Sequence, residues 1–388
     1  MSNSLKWITG TDLHERPVSG IQHKPYMKTP LTYLLLFTGL LLAGCETGEA
    51  IVIPEKPYEK LSDYNFFQGA LAELEPNERV LPYDLNSPLF SDYAHKARFV
   101  WMPEGTGAQY TTGQVLDFPE QSVLIKNFYF NNDETDPAKG HNRIETRLLI
   151  NRGDEWEAVG YIWNEDRTDA FREVIGDIQE VSWVDKQGVA QTINYIIPNK
   201  NQCKSCHLLG KTQVPIGPKV RNLNKPYPYV DGEMNQLEKW AAMGYLKGYD
   251  ADAMHPKTAV WEDESSGSLH ERALAYLDIN CGHCHNPDGS ANTSGLHLVA
   301  TADTDMSLGI YKATVSAGAG TGGHTYSIVP GQPDESIMIY RMRSTDPAAM
   351  MPEVGRTIIH QEGIALIREW IETLEVDEAL QPATTRLQ

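Results

Sequence analysis

Two pentapeptides constrain this chain more than anything else in it: Cys203-Lys204-Ser205-Cys206-His207 and Cys281-Gly282-His283-Cys284-His285. Each reads C-x-x-C-H, the attachment signature of c-type haem. Two thiols about one helical turn apart can each form a thioether with a haem vinyl group, and the adjacent imidazole then reaches the iron from the same side. A thioredoxin-like redox pair needs only C-x-x-C. A zinc site built from two such halves spaces them by about 15–20 residues, whereas Cys206 and Cys281 stand 75 apart. The pattern predicts two covalently bound haem c groups, with His207 and His285 as proximal iron ligands.

The chain has five cysteines, and the fifth closes the run Leu42-Ala43-Gly44-Cys45. The apolar stretch before it, from Leu31 to Gly44, carries no charge and is shorter than the roughly 20 residues that span a bilayer. Lys28 ahead of it and small residues at its end give the order of a signal peptide, and the closing tetrapeptide resembles a bacterial lipobox. Cleavage before Cys45 and acylation of that residue are the expectation, with several acyl chains giving a stable anchor. Residues 1–26 hold Asp12, Glu15, Arg16 and Pro17, which suit no signal. Translation from Met27 is expected, leaving 27–44 as the signal peptide and 45–63 as a tether.

The formal net charge is -19, and residues 45–388 hold 29 Lys and Arg against 50 Asp and Glu. Such a balance excludes a dominant phosphate-binding surface, so no nucleic acid is expected. Redox partners with a basic docking face are expected instead.

Residues 64–197 alternate aromatic and β-branched runs (Val123 to Phe130, Ile144 to Ile150, Ala158 to Trp163, Ile193 to Ile197) with turn clusters such as Asn151-Arg152-Gly153-Asp154. An all-β module without a haem motif, a sandwich or partial barrel, is predicted there. Residues 198–264 hold the first motif, the Pro/Gly segment Val214 to Pro218 and a predicted helix from Asn235 to Leu246. Residues 265–376 hold the second motif between predicted helices Leu269 to Ile279 and Gln361 to Leu374, the latter with Ile364, Ile367, Ile371 and Leu374 on one stripe. The expected fold is multidomain: an N-terminal all-β module followed by two mainly α, cytochrome c-like haem domains, with 377–388 a tail. A run from Gly318 to Gly323 satisfies G-x-G-x-x-G but is followed by an extended segment ending at Pro330. Without a helix to receive a pyrophosphate it reads as a surface loop.

Beyond the motifs, Met351, ahead of Pro352 in a loop, is the expected distal ligand of the second haem, with Met350 as the alternative. For the first haem the candidates are Met243 and His255, with Met234 and Met254 less distinctive; His95 and His141 read as surface residues. A ligating imidazole usually donates its second N–H to a carbonyl, and the backbone around Gly217-Pro218, which resembles the Gly-Pro turn that plays this part in class I cytochromes, is the expected acceptor for His207.

The chain resembles a family of exported dihaem c-type cytochrome lipoproteins of Gram-negative bacteria. The resemblance rests on Leu89-Phe90-Ser91-Asp92-Tyr93, Asn201-Gln202 before the first motif, Gly217-Pro218-Lys219, Arg221-Asn222-Leu223-Asn224, Asn235-Gln236-Leu237, Leu277-Asp278-Ile279-Asn280 before the second motif and Asn286-Pro287 after it, Val329-Pro330-Gly331, Met351-Pro352, and Ile367-Arg368-Glu369-Trp370. It covers nearly all of the chain after Cys45. Met350-Met351-Pro352-Glu353 stands where the family often has one Met and two prolines. The resemblance implies an exported protein and, as a partner, an exported parallel β-helix protein. Glu46 after Cys45 resembles an outer-membrane sorting signal, so an outer-membrane lipoprotein facing the periplasm or the cell surface is expected. The expected function is one-electron transfer by a membrane-anchored dihaem cytochrome. A dihaem peroxidase-type enzyme with an open first haem, and a binding or sensing lipoprotein using the β module, stand as alternatives.

Overall fold

The alternating runs between Leu81 and Glu173 form one antiparallel sheet of six strands whose spatial order is their chain order: β1 (Leu81–Tyr83), β2 (His95–Trp101), β3 (Val123–Asn131), β4 (His141–Asn151), β5 (Trp156–Trp163) and β6 (Ala170–Glu173). The computed structural model describes residues 50–315, 317–375 and 380–381, all within the compact unit Thr47–Gln388. Side chains alternate across a strand, and both faces of this sheet are covered. Phe99, Trp101, Val123, Ile125, Leu148, Ile150, Val159 and Tyr161 pack on one side beneath Leu61, Tyr64 and Phe66. On the other side Val100, Leu124 and Trp156 pack with Leu223, Leu237, Trp240 and Tyr245 from beyond residue 198. A separate ribbon, β7 (Asp177–Val184) with β8 (Ala190–Ile197), pairs antiparallel and packs through Val181, Trp183, Ile193 and Tyr195 against Phe128 and Phe130. A six-stranded meander with its ribbon thus replaces the predicted sandwich or partial barrel.

The two mainly α haem domains are not found. The six α-helices among the described residues are short, four to twelve residues each: α1 (Lys200–His207), α2 (Val220–Leu223), α3 (Gln236–Ala242), α4 (Leu269–Leu277), α5 (Ile337–Arg343) and α6 (Gln361–Glu372). Strand is the commoner regular structure. Residues 198–264 are broken by hairpins: β9 (Leu208–Leu209) with β10 (Thr212–Gln213), and β11 (Pro226–Tyr229) with β12 (Gly232–Asn235). Pro215, Pro218, Pro226 and Pro228 stop helices from extending here. This segment's apolar residues share the sheet's core cluster rather than forming one of their own.

The start of α1 is local chemistry. Asn199 accepts from the Gln202 N–H while the Gln202 side chain accepts from the Asn199 N–H, each at 2.9 Å, a reciprocal cap directly after Pro198. In the last segment α4 runs into a wider, π-type turn over Asp278–Gly282, which delivers Cys281. Helix α6 packs on α4 where Gly363 meets the Tyr276 ring; a side chain at 363 would collide with the Tyr276 hydroxyl. Gly318–Thr321 is a 3-10 turn with Gly320 buried beside Arg341, and no helix follows it before Pro330.

The segment expected to be a tether is not free from residue 51 onward: Ile51, Ile53 and Tyr58 pack on the sheet's core, and the Pro54 carbonyl accepts from Arg152 at 2.9 Å. Residues 1–49, with the expected extension, signal peptide and Cys45, lie outside the described residues, as does most of the 377–388 tail. Among the described residues no helix is long and apolar enough to cross a membrane.

Candidate functional site

The two C-x-x-C-H motifs, 75 residues apart in sequence, meet in space. Leu209, just after the first motif, bridges to Gly289, just after the second, and Gly210 N–H donates to the Asp288 carbonyl at 2.7 Å. Gly289 is needed there because a Cβ would collide with the Cys284 carbonyl. Cys284 Sγ lies 3.8 Å from the Ser205 carbonyl oxygen. One ligand atom each from Cys206, His283 and Cys284 lies within 4.8 Å of the other two. The Cys206 and Cys284 sulfurs lie close together, and their interaction pushes the Cys206 thiol up and, helped by His283, holds the Cys284 thiol down.

A cavity of about 170 Å³ opens between α1, the sheet, the turn at Cys281 and the loop before α6. Cys203, Cys206 and His207 line it from one side, and Cys281, His283, Met342 and Met351 from the other. His207 Nδ1 bonds the Val214 carbonyl at 2.7 Å. Val214, not Gly217-Pro218, is therefore the acceptor, because the β9–β10 hairpin brings residue 214 back beside His207. With Nδ1 as donor, Nε2 carries the free lone pair. Burial pushes His207 down to about 4, so the ring is neutral and fit to ligate a metal.

The remaining sequence candidates divide. Met351 faces the cavity; Met350 is buried beside it, 7% exposed, and is not among the lining residues. His285 is not among them either: its Nδ1 bonds Ser294 Oγ at 3.0 Å. Neither candidate for the first distal position reaches the cavity. Met243 caps α3 and packs against the core. His255 has both ring nitrogens engaged, with Tyr110 Oη at 2.7 Å and the Asp250 carbonyl at 2.9 Å. Met234 and Met254 are exposed, Met254 fully. His95 bonds Glu134, and His141 is exposed on a strand end.

The donor set suits haem c at the first motif, where two thiols and an available imidazole nitrogen face one cavity, and in part at the second, through Cys281 and Met351. His283 Nδ1 is buried with no hydrogen-bond partner, a polar atom left for something that enters the cavity. Cys206, Cys284 and His283 could alternatively hold one thiophilic cation such as zinc, with a fourth position open. A cysteine spent as a thioether is not a thiolate ligand, so the two uses exclude each other.

Several residues around the site carried no chemical label in the sequence. Arg356, 6% exposed, donates to the carbonyls of Met351, Ser344, Arg341 and Ile358 and so fastens the loop bearing Met351. Asp92 accepts from the Thr357 N–H at 2.7 Å, the Thr357 hydroxyl at 2.9 Å and the Ile358 N–H at 3.1 Å, tying the Leu89–Tyr93 segment to the same loop. Phe90 N–H donates to Asn280 Oδ1 at 2.9 Å, one residue before Cys281. Asp92 and Asn280 stand in the sequence as polar residues of otherwise unexplained motifs, and Arg356 lies in none.

Next to them Phe90 stacks on His360 with ring centroids 4.0 Å apart, and Tyr276 Oη lies 3.0 Å from His360 Nδ1. Burial pushes His360 down to about 4, against the pull of Glu362. The unfolded chain binds this proton more readily, so the contribution is complete above pH 6.5 and is lost as pH falls through 4. Between pH 7 and 4.5 the loss is about 2–3 kcal/mol. Urea unfolding at the two pH values should show a loss smaller by that amount in His360→Phe than in the native protein; an equal loss in both would reject the assignment.

Compared with protein families, curated proteins and solved structures, the chain finds no match in any of the three.

Proposed function

We propose that this protein is a dihaem c-type cytochrome that passes single electrons between partner proteins at the cell envelope. The observation that carries this reading is the meeting of two distant C-x-x-C-H motifs at one cavity. A bound haem supplies a reversible one-electron change at iron. The chain's own residues do the rest. Cys203 with Cys206, and Cys281 with Cys284, would hold the two groups by thioethers. His207, oriented by the Val214 carbonyl, would ligate from one side, and Met351, on a loop fastened by Arg356 and Asp92, would offer a thioether sulfur. Leu89, Leu124, Leu149, Ile216 and Ile279 on the wall exclude water, which keeps the reorganisation accompanying a charge change small. Adjacent attachment points suit passage between the groups without a diffusing carrier. The acidic chain suits docking by a basic face of a partner, and acylation at Cys45 would keep the protein at the membrane where such partners work.

One observation favours a second reading, a dihaem peroxidase type: Met243 and His255 are both engaged elsewhere, which leaves the first distal position without an assigned side chain. The ferric optical spectrum and peroxide turnover of the holoprotein decide between them. Two low-spin haems without turnover are expected. One high-spin haem that consumes peroxide would replace electron transfer as the main role, and a protein carrying zinc but no haem would reject both.

A further inference from the structure

The face of the sheet turned to the cavity carries an arrangement that the fold alone does not explain. Arg98 on β2 stands directly opposite Lys126 on β3, and Lys126 directly opposite Arg147 on β4. Like charges in direct cross-strand register destabilise a sheet, yet three cations here form a row across adjacent strands. All three line the cavity. Beyond Arg147 the row continues on β5 as Gly160, which leaves space where a side chain would stand.

The anions nearby do not balance the row. Glu145 is committed to Arg147 in a two-point ion pair and also accepts from Tyr195 Oη at 2.8 Å. Asp84 is shared by Arg98 at 2.8 Å and Lys225 at 3.0 Å. Lys126 has no carboxylate within ion-pair reach among the described residues. Its ammonium lies 4.7 Å from the centre of the Phe128 ring, and the Arg147 guanidinium carbon lies 4.3 Å from the same ring, so one aromatic ring serves both cationic heads. Burial pushes Lys126 well below the usual lysine range, and Arg98, Arg147 and Lys96 add to this. Next to the cations the same wall is apolar and low, with Leu124, Leu149, Ala158 and Gly160. A ligand with a broad apolar body and carboxylates at one edge matches this wall.

We infer that Lys126 and Arg147, backed by Arg98, receive the carboxylates of the group attached at Cys203 and Cys206, so that the sheet is the propionate-binding wall of the first haem. This rests on the dihaem reading above and gives the β-rich segment, which has no haem motif, a direct part in the redox site. The shared chemistry is a pair of carboxylates, and a free dicarboxylate is the other source of it. The covalent group is favoured because the first motif lines the same cavity and α1 packs on β5.

The test uses the full-length holoprotein, with haem counted as the pyridine haemochrome, resonance Raman of the propionate bending bands, and a spectroelectrochemical titration. In Lys126→Gln two haems remain, one haem's propionate band shifts, and its midpoint potential falls because a cation that favoured the ferrous state is gone. The other haem keeps its propionate band and shifts less in potential, and Lys126→Arg restores both readings. Arg147→Lys, which keeps the charge and loses the fork, should shift the band with little change in potential, and it keeps the question answerable if Lys126→Gln fails to fold. Two haems with unchanged bands and potentials in both variants would overturn the inference while leaving the dihaem reading intact. Wild-type potentials that respond to added succinate, with bands indifferent to the substitutions, would assign the row to a free dicarboxylate and overturn it likewise. A wild-type chain without covalent haem would overturn the dihaem reading itself.

Discussion

Replacing Cys203 and Cys206 together by alanine is expected to leave one covalent haem per chain instead of two, read as a halved pyridine haemochrome absorbance per protein and persistent haem stain on a denaturing gel. The corresponding change at Cys281 and Cys284 should do the same. On the proposed reading each motif would supply its own pair of thioethers, so attachment at one would not require the other. Because Cys206 lies against Cys284, the haem that remains loses its neighbour's charge as well. A shift in the survivor's potential relative to the native protein is therefore expected in both variants. Two covalent haems in either double variant would contradict the assignment of the motifs, and a survivor with an unchanged potential would contradict their adjacency.

The second large effect concerns how the motifs are held together. Asp278, 1% exposed, bonds Arg221 Nη2 at 2.9 and 3.0 Å and Lys219 Nζ at 3.4 Å. Burial would raise this carboxyl, but Lys219 and Arg221 outweigh it and hold the group below the usual carboxylate range. Asp278→Ala leaves two buried cations without an anion, and breaking a buried pair in this way costs about 3–5 kcal/mol. Urea unfolding of the holoprotein should show that loss at pH 7 and a smaller one at acid pH, because a lowered carboxyl gives up its contribution as pH falls from about 4 through its folded value. Removing the charges together, as Lys219→Met, Arg221→Met and Asp278→Leu, should recover most of the stability. A loss below about 1 kcal/mol for Asp278→Ala would mean that the trio behaves like a surface pair. Asp278 lies three residues before Cys281 and its partners lie on or next to α2, so this ion group also sets the approach of the second motif to the first.

Much of the local structure could be read from the residues. The runs at Val123, Ile144, Ala158 and Ile193 are strands β3, β4, β5 and β8, and helices were expected where α3, α4 and α6 stand. Periodicity reports on which face of an element is buried, and that is settled within a few residues. The prolines between Pro215 and Pro228 were equally visible, yet a helical haem domain was expected around them. A C-x-x-C-H sequence needs only about one turn of helix and so does not require a helical domain; α1 supplies it with eight residues.

The cationic row was visible in part, as Lys126 inside the apolar run Val-Leu-Ile-Lys-Asn-Phe-Tyr-Phe. Its meaning depends on register, since only cross-strand pairing puts Arg98, Lys126 and Arg147 side by side over a separation of 49 residues. His255 was a reasonable ligand by its loop position. Tyr110, far away in sequence, takes one of its nitrogens.

By itself the sequence determined the chemistry on offer: the type and spacing of Cys203, Cys206 and His207 and of Cys281, Cys284 and His285, an acidic surface, and the strands and helices that periodicity dictates. Those are properties of neighbours along the chain. Only the tertiary structure decided that the two motifs share one place, that a sheet with buried cations forms a wall of it, that Val214 orients His207, that Ser294 takes Nδ1 of His285, and that Met243 and His255 are engaged elsewhere. These follow from contacts between residues tens to hundreds of positions apart, whose geometry is set by packing and strand register, and no local pattern encodes them.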